Sequence, residues 1–103
     1  MPKYLIERTV PGAGQMDADA LAAIAATSNG VLRDLGPDVQ WVHSYVSDDK
    51  ITCVYLAASE DIIREHGRCG GFPVDAVYEV RVIIDPATAE LASSHPASAR
   101  RAS

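Results

Sequence analysis

The stretch VQWVHSYVSDDKITCVYLA, Val39 to Ala57, holds two runs rich in β-branched and aromatic residues joined at Asp48-Asp49. Each run is of strand length, and the acidic pair between them carries turn chemistry, so the stretch reads as a β-hairpin. Successive strand side chains point to opposite faces. On that rule Trp41, His43 and Tyr45 share one face and Val42, Ser44 and Val46 the other. A two-residue turn at Asp48-Asp49 pairs Ser47 with Lys50 and puts His43 on the face of Thr52, Val54 and Leu56. A three-residue loop groups it instead with Cys53 and Tyr55, and the even loop is the favoured reading.

Outward from the hairpin, Lys3 to Val10 reads as a first strand, stopped by Pro11-Gly12-Ala13-Gly14. Asp17 is placed to cap a helix running to about Leu35, with Leu21, Ile24, Ser28, Val31, Leu32 and Leu35 at helical spacing and Gly36-Pro37 as its stop. Gly30 inside it marks a weak point or a close approach. Ser59 is expected to cap a second, shorter helix, EDIIREHGRC, which Gly70-Gly71 ends. Ala76 to Ile84, AVYEVRVII, reads as the last strand, closed by Asp85-Pro86. The resulting order predicts an α+β fold of ferredoxin-like βαββαβ type, an antiparallel four-stranded sheet with two helices on one face. A parallel sheet would need a helix between the middle strands. Residues 1–90 form the expected domain, and residues 91–103, small and polar, a flexible C-terminal tail that includes His95.

The chain has 103 residues, 48% apolar and 22% charged, with a net charge of −5. A domain of this size gains from the extra burial of self-association. Its acidic balance argues against a nucleic-acid partner. No apolar run is long enough to cross a bilayer, and the opening MPKYLIERTV lacks the apolar core of a signal peptide. Two cysteines, Cys53 and Cys69, are too few for a disulfide framework and fit a cytoplasmic protein.

The face of the sheet that carries no helix is where function is expected. In the first strand Tyr4, Ile6 and Val10 turn inward at the cost of Arg8, leaving Leu5, Glu7 and Thr9 open. In the last strand the apolar set Tyr78, Val80, Val82 and Ile84 is assigned inward, leaving Glu79 and Arg81 open. The open face then gathers Glu7, Trp41, His43, Tyr45, Glu79 and Arg81, a surface suited to a second copy or a ligand. His43 beside Glu7 or Glu79 offers imidazole and carboxylate to a metal, or a general base. His66 and Cys69, three apart on a helix, form a second candidate pair, with Glu65 at the exposed edge; His66 reads equally as a core-edge residue. Cys53 reads as a small buried hydrophobe. PGAG lacks the lysine and glycine spacing of a phosphate loop.

The run WVHSYVSDDKITCVYLA, the helix IIREHGRCGGFP, the ending EVRVIIDP and the opening KYLIERTVPG together resemble a family of small bacterial ferredoxin-like proteins. Its best-described members are nickel-binding homodimers, and the likeness spans about Pro2 to Glu90. The resemblance implies a homodimer that binds Ni(II) or another divalent transition metal, without a ligand set to carry over. The topology is also similar to dimeric α+β barrels, which implies an alternative: a monooxygenase- or isomerase-like enzyme with a small-molecule pocket on the open face, lined by Trp41, His43, Tyr45 and Tyr55.

Overall fold

A computed structural model describes the backbone of residues 1–93 and the side chains of residues 1–91. Strand β1 is Lys3–Thr9, helix α1 Ala18–Leu35, β2 Val39–Val46, β3 Lys50–Ala57, α2 Glu60–Gly70 and β4 Ala76–Glu79, followed by a 3-10 turn at Pro86–Thr88 and a short helix, α3, at Ala89–Ser93. Another 3-10 turn, Ala13–Gln15, links β1 to α1. The four strands form one antiparallel sheet in the order β2-β3-β1-β4. The expected tail begins as α3, and residues 94–103, His95 among them, lie outside the described residues.

Local chemistry accounts for most boundaries. The Asp17 carboxylate accepts the Ala20 N–H at 2.8 Å, removing one of the unsatisfied donors of the first turn of α1. Gly36 ends that helix at a φ of 85°, where a side chain would be strained. Ser59 occupies the N-cap position of α2, but contrary to expectation its side chain makes no capping bond; the first turn carries Glu60 and Asp61 instead. Gly67 serves a different purpose. A Cβ there would come within 2.7 Å of Val74 Cγ2 and 3.2 Å of the Phe72 carbonyl oxygen, so its absence lets the chain after α2 fold back against the helix.

The hairpin adopts the even loop, with the Ser47 N–H donating to Lys50 O at 2.9 Å and His43 opposite Val54. Its ladder is interrupted. Tyr45 pairs with Thr52 and His43 with Val54, yet Trp41 pairs with Tyr55, so the register slips by one residue at Val42. This is a β-bulge, and it reverses the facing of everything before it in β2. Trp41 therefore does not share a face with His43 and Tyr45. It packs against the core built from Tyr4, Ile6, Val39, Ile51, Tyr55 and Ile63.

The last strand also departs from expectation. Val77 lies opposite Ile6, Glu79 opposite Tyr4, and Tyr78 opposite Leu5 with 52% of its surface exposed. Directly opposed residues share a face, so Glu79 belongs to the helix side and Tyr78 to the open side. Pairing stops at Glu79 because β1 begins at Lys3, and the bond from the Val80 N–H to Lys3 O is the last rung available. Residues 80–85 continue without a neighbouring strand. Val82 and Ile84 are each 75% exposed.

Candidate functional sites on the two faces of the sheet

The helix-free face presents His43 and Tyr45. Both are exposed; the imidazole Nε2 stands 3.0 Å from the Tyr45 hydroxyl, and the rings meet edge to face at 5.0 Å. The pairing registers lay out two rows across the sheet, His43-Val54-Leu5-Tyr78 and Tyr45-Thr52-Glu7-Ala76. Glu7 thus shares the face of His43 but stands two strands away, too far for both to reach one ion from a single copy.

The other candidate ligands are dispersed. Glu79, on the opposite face, forms an ion pair with Arg81 at 2.6 Å. Glu65 is bound by Arg68 and accepts the Cys69 thiol at 3.4 Å; the Arg68 bonds hold its carboxyl below the usual range, and the adjacent carboxylate pushes the Cys69 thiol up, away from the thiolate a metal requires. His66 and Cys69 do not form a pair, because Cys69 is exposed whereas His66 is 1% exposed. Among the described residues no three His, Cys, Asp or Glu side chains are grouped to hold a metal ion.

The helix-covered face holds a cavity of about 520 Å³ between α1 and the sheet. Its walls are mainly apolar: Leu21, Ile24 and Ala25 from α1, Trp41 and Ile51 from the hairpin, and Phe72 from the segment after α2. Trp41 and Tyr55 line it, whereas His43 and Tyr45 do not. A pocket on the open face lined by all four is therefore corrected: the bulge and the even loop divide them between the two sides.

Beside Thr27 and Ser44, two buried polar residues interrupt these apolar walls, and both sit on apolar stripes of their elements. Arg8 follows Tyr4 and Ile6 on the inward side of β1 and is 4% exposed. Its Nη1 donates to the Pro73 carbonyl at 2.7 Å, its Nε to Cys53 Sγ at 3.4 Å, and its guanidinium lies 5.7 Å from the centre of the Phe72 ring. The remaining nitrogen, Nη2, is buried without a partner. No carboxylate is among the cavity-lining residues to balance this charge, although the desolvation of such an ion costs on the order of several kcal/mol.

Ser28, on the inner side of α1, is the second. Its Oγ lies 3.0 Å from His66 Nε2, behind the cavity wall. The imidazole packs on Phe72 and Tyr55, with centroid distances of 5.5 and 5.2 Å. Burial, with the Arg8 charge adding to it, pushes His66 down to about 4, so the ring is neutral at neutral pH. Burial likewise raises the Tyr55 phenol, with Cys53 adding to the rise and hydrogen bonding from Ser28 together with Arg8 opposing it. Sequence reasoning noted Arg8 as an inward exception in β1 and counted Ser28 within the apolar stripe of α1. The signal was that each is a polar residue at an inward position.

Comparison with known proteins adds three findings. A family model described as "SCO4226-like: Nickel responsive protein SCO4226-like" matches residues 4–80. None of the curated proteins matches the chain. The crystal structure of SCO4226 from Streptomyces coelicolor A3(2) aligns with a TM-score of 0.67 at 15% identity, covering 80% of this chain and 99% of that one, which establishes likeness of fold. No helix among the described residues is long and apolar enough to cross a membrane.

Proposed function

The chain belongs to the SCO4226-like family of nickel responsive proteins, and on that premise we propose that it is a small cytoplasmic homodimer of ferredoxin-like fold that binds Ni(II) through its helix-free sheet face. The observation that carries this reading is His43: an exposed imidazole on a sheet face that no helix covers, in a family defined by its response to nickel. The strand order β2-β3-β1-β4 with a helix in each crossover supports the fold assignment. Buried Cys53 and exposed Cys69, both free thiols, support a reducing compartment.

One copy alone does not fit the ion, since its donors on this face are separated. A second copy laid on the same face doubles them, supplying two His43 imidazoles and two Glu7 carboxylates, the nitrogen and oxygen donors that suit Ni(II) when thiolates are scarce. Dimerisation is also favoured by what one copy leaves exposed: Tyr45 and Tyr78 on the face itself, and Val82, Ile83 and Ile84 beyond the last rung of β4. Glu65, Glu79 and His66 are secondary candidates, each already engaged within its own chain.

Calorimetric titration of untagged protein with Ni(II), combined with sedimentation at micromolar concentration, tests the proposal. Saturable binding to a species of twice the chain mass is expected, with His43→Ala lowering affinity at least tenfold. A monomer that binds no Ni(II), or a His43→Ala variant with unchanged affinity, rejects it.

A further inference from the structure

We propose that the cavity under α1 binds a small organic monocarboxylate, with its carboxylate on the Arg8 guanidinium and its apolar body between Trp41, Ile24 and Phe72. The binding residues lie on the face of the sheet opposite His43, so the inference stands apart from the nickel reading.

Four observations converge on this ligand class. Arg8 is 96% buried (4% exposed) and lines the cavity, yet its Nη2 has no partner. A buried guanidinium nitrogen without an acceptor suits an oxygen anion, because a charge-assisted hydrogen bond would then replace the hydration lost on burial. The rest of Arg8 is already held, by Pro73 O and Cys53 Sγ with the Tyr55 hydroxyl beside it, so the unpartnered Nη2 is pre-positioned rather than mobile. No Asp or Glu is among the described residues lining the cavity; Asp75, whose carboxyl Arg8 helps to lower, lies outside that lining, so an anion entering the cavity meets the guanidinium without a competing carboxylate on the walls.

The walls define the remainder of the ligand. A volume of about 520 Å³ lies in the range of small-molecule sites, and a mainly apolar lining with a few convergent polar groups is their usual composition. Val46, 43% exposed, belongs to the same lining and marks a route to solvent. A single cation favours one negative charge, because a doubly charged phosphate would leave excess charge against mainly apolar walls. Aromatic residues at Trp41, Tyr55 and Phe72 suit a ring or a short hydrocarbon as the body.

The test uses the full chain in the presence of a chelator, with Trp41, the single tryptophan, as the fluorescent reporter. 3-Phenylpropionate is titrated against its uncharged amide, 3-phenylpropanamide, with inorganic phosphate as a bare-anion control. Saturable one-to-one binding of the carboxylate, at least tenfold tighter than the amide and not displaced by equimolar phosphate, is expected. Arg8→Met should remove the preference, weakening the carboxylate at least tenfold while the amide binds as before. Ala25→Phe, which puts a ring into the cavity from α1 and leaves the Arg8 side chain unchanged, should weaken binding of both probes and keeps the test decisive if Arg8→Met does not fold. Equal affinity for carboxylate and amide, absence of saturable binding, displacement by phosphate, or unchanged binding in Ala25→Phe overturns the proposal.

Discussion

Trp41 and His43 stand two residues apart in β2 and on opposite faces of the sheet, because the ladder slips by one residue at Val42 between them. The indole donates to Ser44 Oγ at 2.9 Å and lies among the cavity walls; the imidazole meets Tyr45 on the helix-free side. One bulge thus separates an interior cavity from an exterior donor, and a single strand serves both.

Deletion of Val42 should leave both residues where they are. Removing the bulged residue makes Trp41 and His43 adjacent in an uninterrupted ladder, with Tyr55 and Val54 still their partners, so alternation alone then keeps them on opposite faces. The expected variant is folded, with an unchanged tryptophan emission maximum and cross-strand contacts from Trp41 to Tyr55 by nuclear magnetic resonance. A shift of Trp41 emission to that of an exposed indole contradicts this account.

Trp41→Ala should act on stability rather than on assembly. The side chain packs against the core instead of standing on the open face, and its truncation is expected to cost about 2–3 kcal/mol. Urea unfolding should show the loss, while sedimentation of the folded variant matches the parent. Loss of self-association without loss of stability would return Trp41 to the interface.

Stability should decline as pH falls from about 6.5 to about 4. His66 has a folded value near 4, held down by burial first and the Arg8 charge second, against 6.5 in the unfolded chain. Between those values the unfolded state binds more protons, so acidification favours unfolding; above 6.5 both states are neutral and the effect vanishes. The full penalty, reached below pH 4, is on the order of 3 kcal/mol. In His66→Phe the slope of stability against pH across this window should be reduced, as read by denaturant titration at several pH values.

Two glycines within helices should respond in opposite directions to the same substitution. A Cβ at Gly30 would meet only Arg33 Nη2 at 3.8 Å, so Gly30→Ala is expected to stabilise by about 0.5–1 kcal/mol through helix propensity. At Gly67 the same Cβ collides with Val74 and crowds the Phe72 backbone, and Gly67→Ala should destabilise by about 1–3 kcal/mol. Thermal unfolding of both variants checks the pair, and equal shifts would contradict the packing described for the segment after α2.

The sequence by itself determined what depends on neighbouring residues. The Asp17 cap and Gly36 bound α1, the Asp48-Asp49 turn sets the hairpin pairing through Lys50, and Tyr4 and Ile6 turn inward with Arg8 following them. These follow from backbone chemistry and from a period of two or 3.6 residues, both legible over a short window. Only the tertiary structure decided the phase of those periods where a distant partner sets it. Val39 and Val46, seven residues apart in β2, cannot both lie on one face of a regular strand; the bulge at Val42 lets Val39 and Trp41 pack inward at the expense of one regular rung. In β4 the phase is imposed by Leu5 and Ile6 across the ladder, which sends Tyr78 outward and Glu79 to the side of Tyr4, and the strand ends where β1 runs out. The cavity required a further step, because Arg8 and Ser28 each look like a local fault in an apolar stripe, and only the packing of α1 against β2 and α2 shows both as walls of one cavity.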